Sequence, residues 1–304
     1  MSNQFLWGID LGGTKIEAVV LDVNKQYEIV ERRRIQTDAH LGYESVIENI
    51  YIFLNQMSKD LGIPLTHLGI GTPGSINPYT SKLRNCNSVY LNGHPFRDDL
   101  EQKLKIPVRM TNDANCFAIS EYKMGVVHDI LPDAQCVFGL IMGTGVGSGI
   151  VVNGKILEGK NGIGGEWGHN FLDKSGGKCY CGKIGCVETV LSGPALQKFY
   201  LKSSGNSKSL KEIVAAYREG SDVHATATME RLFNFFPLAI STIINVIDPE
   251  VIVMGGGLGN IDEIYTEGIK RLPEFVFSDY IETQFVKPKY GDSSGVLGAA
   301  LLWS

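Results

Sequence analysis

Two stretches of this chain are written to one pattern. Trp7-Gly8-Ile9-Asp10-Leu11-Gly12-Gly13-Thr14 continues through an apolar run to Asp22, and Phe138-Gly139-Leu140-Ile141-Met142-Gly143-Thr144-Gly145 continues through another to Asn153. Each reads as aromatic-Gly, apolar strand, Gly/Thr turn, second apolar strand and an Asp or Asn turn, which is a β-hairpin with a small-residue tip. Self-similarity of this length implies duplicated domains that face one another. The 304 residues agree, since about 150 residues per domain gives two. With 43% apolar and 20% charged residues, the chain has enough hydrocarbon for two cores and does not have the composition of a disordered one.

The rest of the chain interleaves strands and helices. Tyr43, Val46, Ile47, Ile50, Tyr51, Leu54, Met57 and Leu61 recur at helical spacing and stop at Gly62. His67–Gly71, Val108–Thr111 and Glu250–Met254 read as short buried strands. Pro95–Leu104, Ala114–Met124, His224–Ile247 and Ser294–Trp303 read as helices, the third with a kink expected at Pro237. This alternation argues an α/β fold.

Charge and termini exclude several classes. The 28 Lys+Arg against 33 Asp+Glu leave −5, and Arg32-Arg33-Arg34 is an isolated triplet, so no nucleic-acid partner is expected. The first residues lack a basic segment followed by an apolar one, and no apolar run approaches ~18 residues, so neither secretion nor a membrane span is expected. The expected location is cytoplasmic, where six cysteines serve as thiols or metal ligands.

Three glycine clusters carry the first chemical signal: Gly12-Gly13-Thr14-Lys15, Gly143-Thr144-Gly145-Val146-Gly147 and Gly255-Gly256-Gly257. Backbone N–H groups without side chains can converge on an anion such as polyphosphate. Asp10, beside the first cluster, suits a Mg²⁺–phosphate assembly rather than phosphate itself. Cys179, Cys181 and Cys186 with His169 supply three sulfurs and one nitrogen, a closed tetrahedral Zn²⁺ set and hence a structural one. Asp113 lies where a strand ends and a helix begins. There it is equally readable as a helix N-cap or as a catalytic carboxylate at the strand ends where α/β clefts form.

Asp10-Leu-Gly-Gly-Thr-Lys15, Asn112-Asp113-Ala114-Asn115, Gly143–Gly149, Gly165-Glu-Trp-Gly-His169 and Cys179-Tyr-Cys-Gly-Lys-Ile-Gly-Cys186 occur in the order expected of the ROK family, which the chain resembles from Gly8 to Leu301. The resemblance implies two actin-like (ribonuclease H-like) ATPase domains around a cleft, 1–118 with 291–304 and 119–290. It implies an ATP-dependent sugar kinase that uses Mg²⁺ and a structural Zn²⁺, with Asp113 as general base. By the same resemblance Asn87, Asn112, Asp113, Glu166, His169 and Glu188 contact the sugar, His169 with the ring nitrogen that zinc leaves free, and the protein is a homodimer. The expected substrate is N-acetyl-D-glucosamine, phosphorylated at its 6-hydroxyl, with glucose and N-acetylmannosamine as alternatives. Room for the acetamido group is expected in the Gly71–Ser75 turn or in Asn85–Tyr90. The family's regulators carry an N-terminal helix-turn-helix that this sequence does not show, which favours a kinase over a sugar-responsive regulator. The zinc motif and Asn112-Asp113 disfavour an actin-like structural ATPase.

Overall fold

A computed structural model describes residues 4–86 and 88–304. Its first sheet contains β1 (Phe5–Leu11), β2 (Lys15–Asp22), β3 (Glu28–Gln36), β4 (Leu68–Thr72) and β5 (Val108–Asn112), in the order β3-β2-β1-β4-β5. The second contains β6 (Cys136–Met142), β7 (Val146–Val152), β8 (Lys155–Ile156), β9 (Val251–Gly255) and β10 (Gln284–Val286), in the order β8-β7-β6-β9-β10. In both, the first three strands form an antiparallel meander, the fourth adds in parallel beside the hairpin's first strand, and the fifth adds in parallel beside the fourth. The repeat in the sequence is therefore a repeat of topology, the duplicated α/β architecture expected. Leu6, Trp7, Ile9 and Leu11 are all buried in β1, as a central strand covered on both faces requires.

The strand β3 does not announce itself as apolar, because it is an edge with solvent-facing charge. Alternation explains the arginine triplet. Arg32 and Arg34 reach the buried Glu17 carboxylate on β2, whereas Arg33 points the other way to Asp60, at 2.5 Å. Burial alone would raise the Glu17 pKa, but the two guanidiniums outweigh it and hold the carboxyl below its ordinary value.

Helix α1 (Tyr43–Leu61) packs on the first sheet with α2 (Phe96–Leu104), and Gly62 terminates α1 in the left-handed conformation, φ 65°. Helix α3 (Asp113–Lys123) follows β5 without a loop. The chain from 157 to 250 is inserted between β8 and β9. It carries α4 (Val187–Leu191), α5 (Gly193–Ser204), α6 (Leu210–Glu219) and α7 (Val223–Ile247). By length and composition α7 could cross a membrane, but Ala225, Met229, Leu232, Phe233, Phe236, Ile240 and Ile244 form a stripe in the second sheet's core. It is assigned as one helix through Pro237.

Two helices fill the space between the sheets. Phe117, Ala118 and Ile119 of α3 belong to the second sheet's core, so the division expected after residue 118 falls inside this helix. Helix α8 (Ser294–Ala300) covers the first sheet through Val296, Leu297 and Ala300. The two helices touch so closely that a Cβ on Gly298 would lie 1.8 Å from the Cys116 carbonyl oxygen.

Candidate active site

The parallel strands β1, β4 and β5 present their carboxyl ends at one edge of the first sheet, the usual location of α/β ligand sites. Asp10 is the penultimate residue of β1, and its β4 neighbour in register is Gly71. Cβ atoms built on Gly71 and Gly295 would approach the Asp10 carboxylate to 3.6 and 3.3 Å, so small residues are what let the backbone close around it. Burial raises the Asp10 pKa to about 7, with further contributions from the negative charges of Asp113 and Glu17, while Arg34 opposes the shift.

Asp113 is the first residue of α3 but not its cap. Asn112 caps the helix, its Oδ1 accepting from Asn115 N–H at 2.7 Å, while the Asp113 carboxylate accepts from the adjacent Ala114 N–H at 2.8 Å. The sequence left the cap and the cleft role of Asp113 equally open, and the geometry gives the capping task to its neighbour. Asp113 is exposed to solvent at the head of α3. Desolvation by the surrounding protein raises its pKa and the Glu166 charge adds to this, against the Ala114 N–H.

The glycine clusters stand at the ends of β1, β6 and β9. Gly12 N–H donates to the Lys15 carbonyl at 2.9 Å to close the first turn, with Gly13, Thr14 and Lys15 exposed at its tip. Gly143 N–H donates to the Gly145 carbonyl at 2.9 Å and leaves Thr144 at the exposed tip, with Gly147 following in β7. A Cβ on Gly143 would come within 3.9 Å of the Gly257 amide nitrogen, so the second and third clusters adjoin. Gly255 ends β9, and Gly256, at φ 78°, turns the chain sharply over Met142.

Glu188 projects from α4 onto the second turn. Its Oε2 accepts from Val146 N–H at 3.0 Å. Glu166 precedes the short turn Trp167–His169 and is half-buried, electrostatically in reach of Asp113. Asn87 lies outside the described residues.

His169, Cys179, Cys181 and Cys186 come together with all four donor atoms within 4.8 Å of one another. Cys179 Sγ lies 3.6 Å from His169 Nδ1, and Cys181 Sγ lies 3.6 Å from Cys186 Sγ, spacings that suit one tetrahedral Zn²⁺. Gly182 and Gly185, at φ 87° and 77°, make the reversals that bring the thiols back on themselves. The second His169 nitrogen, Nε2, which the resemblance assigns to the sugar, is 2.9 Å from the Tyr180 hydroxyl. Sequence reasoning missed Tyr180, although its place inside the cysteine motif marks it.

Gly71 and Gly74 offer no room for a substituent. A Cβ on the first would be 3.1 Å from Cys116 Sγ, and on the second 2.5 Å from both Cys86 Sγ and the Arg84 carbonyl. Their missing side chains admit neighbouring protein. Ser75, the last residue of that turn, borders a cavity of about 50 Å³ together with Ile76, Asn112, Gly162 and Gly164.

Two repeated sheets, three glycine turns and paired acidic residues in the cleft between them are the arrangement of an actin-like ATPase. Within that class, the ROK family profile matches residues 6–304, and the chain belongs to the ROK family. It is 37% identical to an N-acetyl-D-glucosamine kinase of Vibrio cholerae over 97% of this chain and 98% of that one. A ROK hexokinase from Thermus thermophilus is 27% identical and superposes with a TM-score of 0.86, covering 98% of this chain and 97% of the other. A ROK glucokinase from Streptomyces griseus, solved with glucose and AMPPNP, is 25% identical with a TM-score of 0.76 over 98% of both chains.

Proposed function

We propose that this ATP-dependent kinase phosphorylates N-acetyl-D-glucosamine at its 6-hydroxyl, with Asp113 as the general base. The observation that carries the reading is the position of Asp113: Asn112 caps the helix, and the Asp113 carboxylate is exposed at its first turn rather than used as the cap. As the sugar oxygen bonds to the γ-phosphorus and the bond to ADP breaks, Asp113 accepts the hydroxyl proton, a contribution of about 10²–10⁴ in rate. The backbone turns of Gly12, Gly13, Thr14, Lys15, Gly143, Thr144, Gly145, Gly147, Gly255, Gly256 and Gly257 line the phosphate path. Asp10 holds Mg²⁺, which when bound neutralises phosphate charge. Asn87, Asn112, Glu166, His169 and Glu188 complete the sugar contacts, and domain closure between 1–118 with 291–304 and 119–290 expels water.

His169, Cys179, Cys181 and Cys186 hold a Zn²⁺ whose contribution is structural: it pins the Tyr180 loop beside Glu166 and Glu188. The acetamido group enters the small cavity at Ser75 and Ile76, with Asn112 as a polar neighbour. A cytoplasmic homodimer belongs to the same reading, and sedimentation velocity tests the dimer. Identity to the Vibrio cholerae kinase supports the acetamido sugar over glucose.

The test is an ADP-release assay with N-acetylglucosamine, N-acetylmannosamine and glucose, with and without Mg²⁺. N-acetylglucosamine is expected to lead glucose by about 10–200-fold in kcat/KM, and Ile76→Phe to erode that ratio. A glucose kcat/KM equal or higher makes the protein a glucokinase. Saturable sugar binding without turnover moves it to the regulators.

A further inference from the structure

Glu121 is a carboxylate with 0% exposure that takes no part in the site described above. It lies on α3, two turns beyond Asp113, and it gathers four donors. Oε1 accepts from the Ser294 hydroxyl at 2.7 Å and Tyr290 N–H at 3.2 Å, while Oε2 accepts from Lys289 N–H at 2.9 Å and Val126 N–H at 3.0 Å. Three of the four belong to the segment that leads from the second sheet into α8. An amide or hydroxyl lacks the acceptors for this arrangement, whereas a carboxylate has about four lone-pair directions. The turn is shaped around it, since a Cβ on Gly125 would fall 2.1 Å from Oε2.

What Glu121 fixes is the start of α8, and α8 backs Asp10. Ser294 is held by Glu121, the next residue, Gly295, lies against the Asp10 carboxylate, and Gly298 lies on Cys116 of α3. Asp113 opens that same α3. We propose that Glu121 is a positioning residue for phosphoryl transfer: through Ser294 it locks α8 to α3 and so sets Asp10 relative to Asp113. This rests on the roles proposed for those two aspartates. Phosphoryl transfer depends chiefly on positioning, and a misplacement of about 1 Å can cost 10²-fold.

Glu121→Gln keeps the volume, but whichever way its amide turns, two donors face an N–H₂ group. On protein shown by circular dichroism to be folded at the assay temperature, kcat is expected to fall at least about tenfold, with KM for sugar and ATP within about threefold. Ser294→Ala removes one bond from a buried position and is the variant to read if Glu121→Gln fails to fold. It should lower kcat by about fivefold at unchanged KM, the worth of one hydrogen bond. In the double variant the two losses should not multiply, because they act through one contact. The inference is overturned if Ser294→Ala keeps the wild-type kcat, or if kcat falls only in proportion to the unfolded fraction. Absence of sugar turnover in the wild-type protein would instead defeat the proposed function.

Discussion

The two sheets share a strand order and differ in what they carry. At matching places in the repeat the first hairpin has Asp10 and the second has Ile141. The first sheet's insertions are modest, whereas the second receives the chain from 157 to 250, with four helices and the Cys/His cluster. Duplication thus supplies two glycine-tipped hairpins, and the residues to which the proposed function gives the chemistry depart from the repeat: one acid in a strand, one long insertion, and Asp113 between the first sheet's last strand and α3. Glu188 shows the division. It comes from the insertion, yet it seats itself on the second hairpin through Val146 N–H.

The largest expected effect lies at the junction, on neither copy. Asp113→Asn preserves shape and the bond to Ala114 N–H while removing the base. A kcat reduced about 10²–10⁴-fold is expected, with sugar binding changed only modestly and measured by direct titration. A variant that keeps more than about a tenth of the rate would show Asp113 to be a sugar clamp.

Asp10→Asn breaks the comparison by making the first hairpin as uncharged as the second. Mg²⁺-dependent turnover should collapse. Stability should move the other way, and the sign follows from linkage. A carboxyl raised to about 7 in the fold, from 3.8, binds protons more tightly folded than unfolded. Its contribution is therefore fully present below pH 4 and is lost as pH rises toward and through 7. Thermal unfolding of the ligand-free protein should find Asp10→Asn more stable than wild type at pH 8, and much less so at pH 5. A gain that is equal at both pH values would place the cause elsewhere.

Removing the metal tests whether the second copy depends on its insertion. Protein purified without added metal should contain one zinc per chain, and Cys179→Ser should lose it. Because the cluster holds Tyr180 beside His169, the expected kinetic change is a higher KM for the sugar with less effect on the KM for ATP. Fully active protein free of metal would refute a structural zinc.

These contrasts also mark what the sequence could disclose. Strands β1, β2, β6 and β7 were legible because a buried hairpin must be apolar along its length and small at its tip. The Cys/His cluster was legible because its four donors are close in the chain or returned by glycines, here Gly182 and Gly185. Strand β3 was not, since an edge strand that pairs Arg32 and Arg34 with Glu17 carries charges where periodicity looks for hydrocarbon. Helices α4 to α6 went unread among short loops. The fit around Gly71 and Gly74 was not legible, because a missing side chain does not reveal what fills its place, and here Cys116 and Cys86 do. The cap at Asn112 and the tie at Glu121 needed three dimensions, because both depend on which partner arrives from elsewhere.

The smallest effect separates the two hairpin tips themselves. A methyl on Gly13 would meet the Ser88 hydroxyl at 3.5 Å, an ordinary contact. A methyl on Gly145 would meet Glu188 Oε2 at 2.7 Å, too close for carbon and oxygen, so the carboxylate must leave Val146 N–H. Losing that bond costs about 1–3 kcal/mol at the turn and turns Glu188 away from its place in the cleft. Gly13→Ala should therefore leave KM for the sugar near its wild-type value, whereas Gly145→Ala should raise it several-fold. Steady-state kinetics on both variants, with Glu188→Gln as the third, checks the route. If Gly145→Ala acts through Glu188, it should add little in the Glu188→Gln background. If the two alanine variants instead raise the sugar KM equally, the hairpins are equivalent in function as well as in fold, and Glu188 does not distinguish the second from the first.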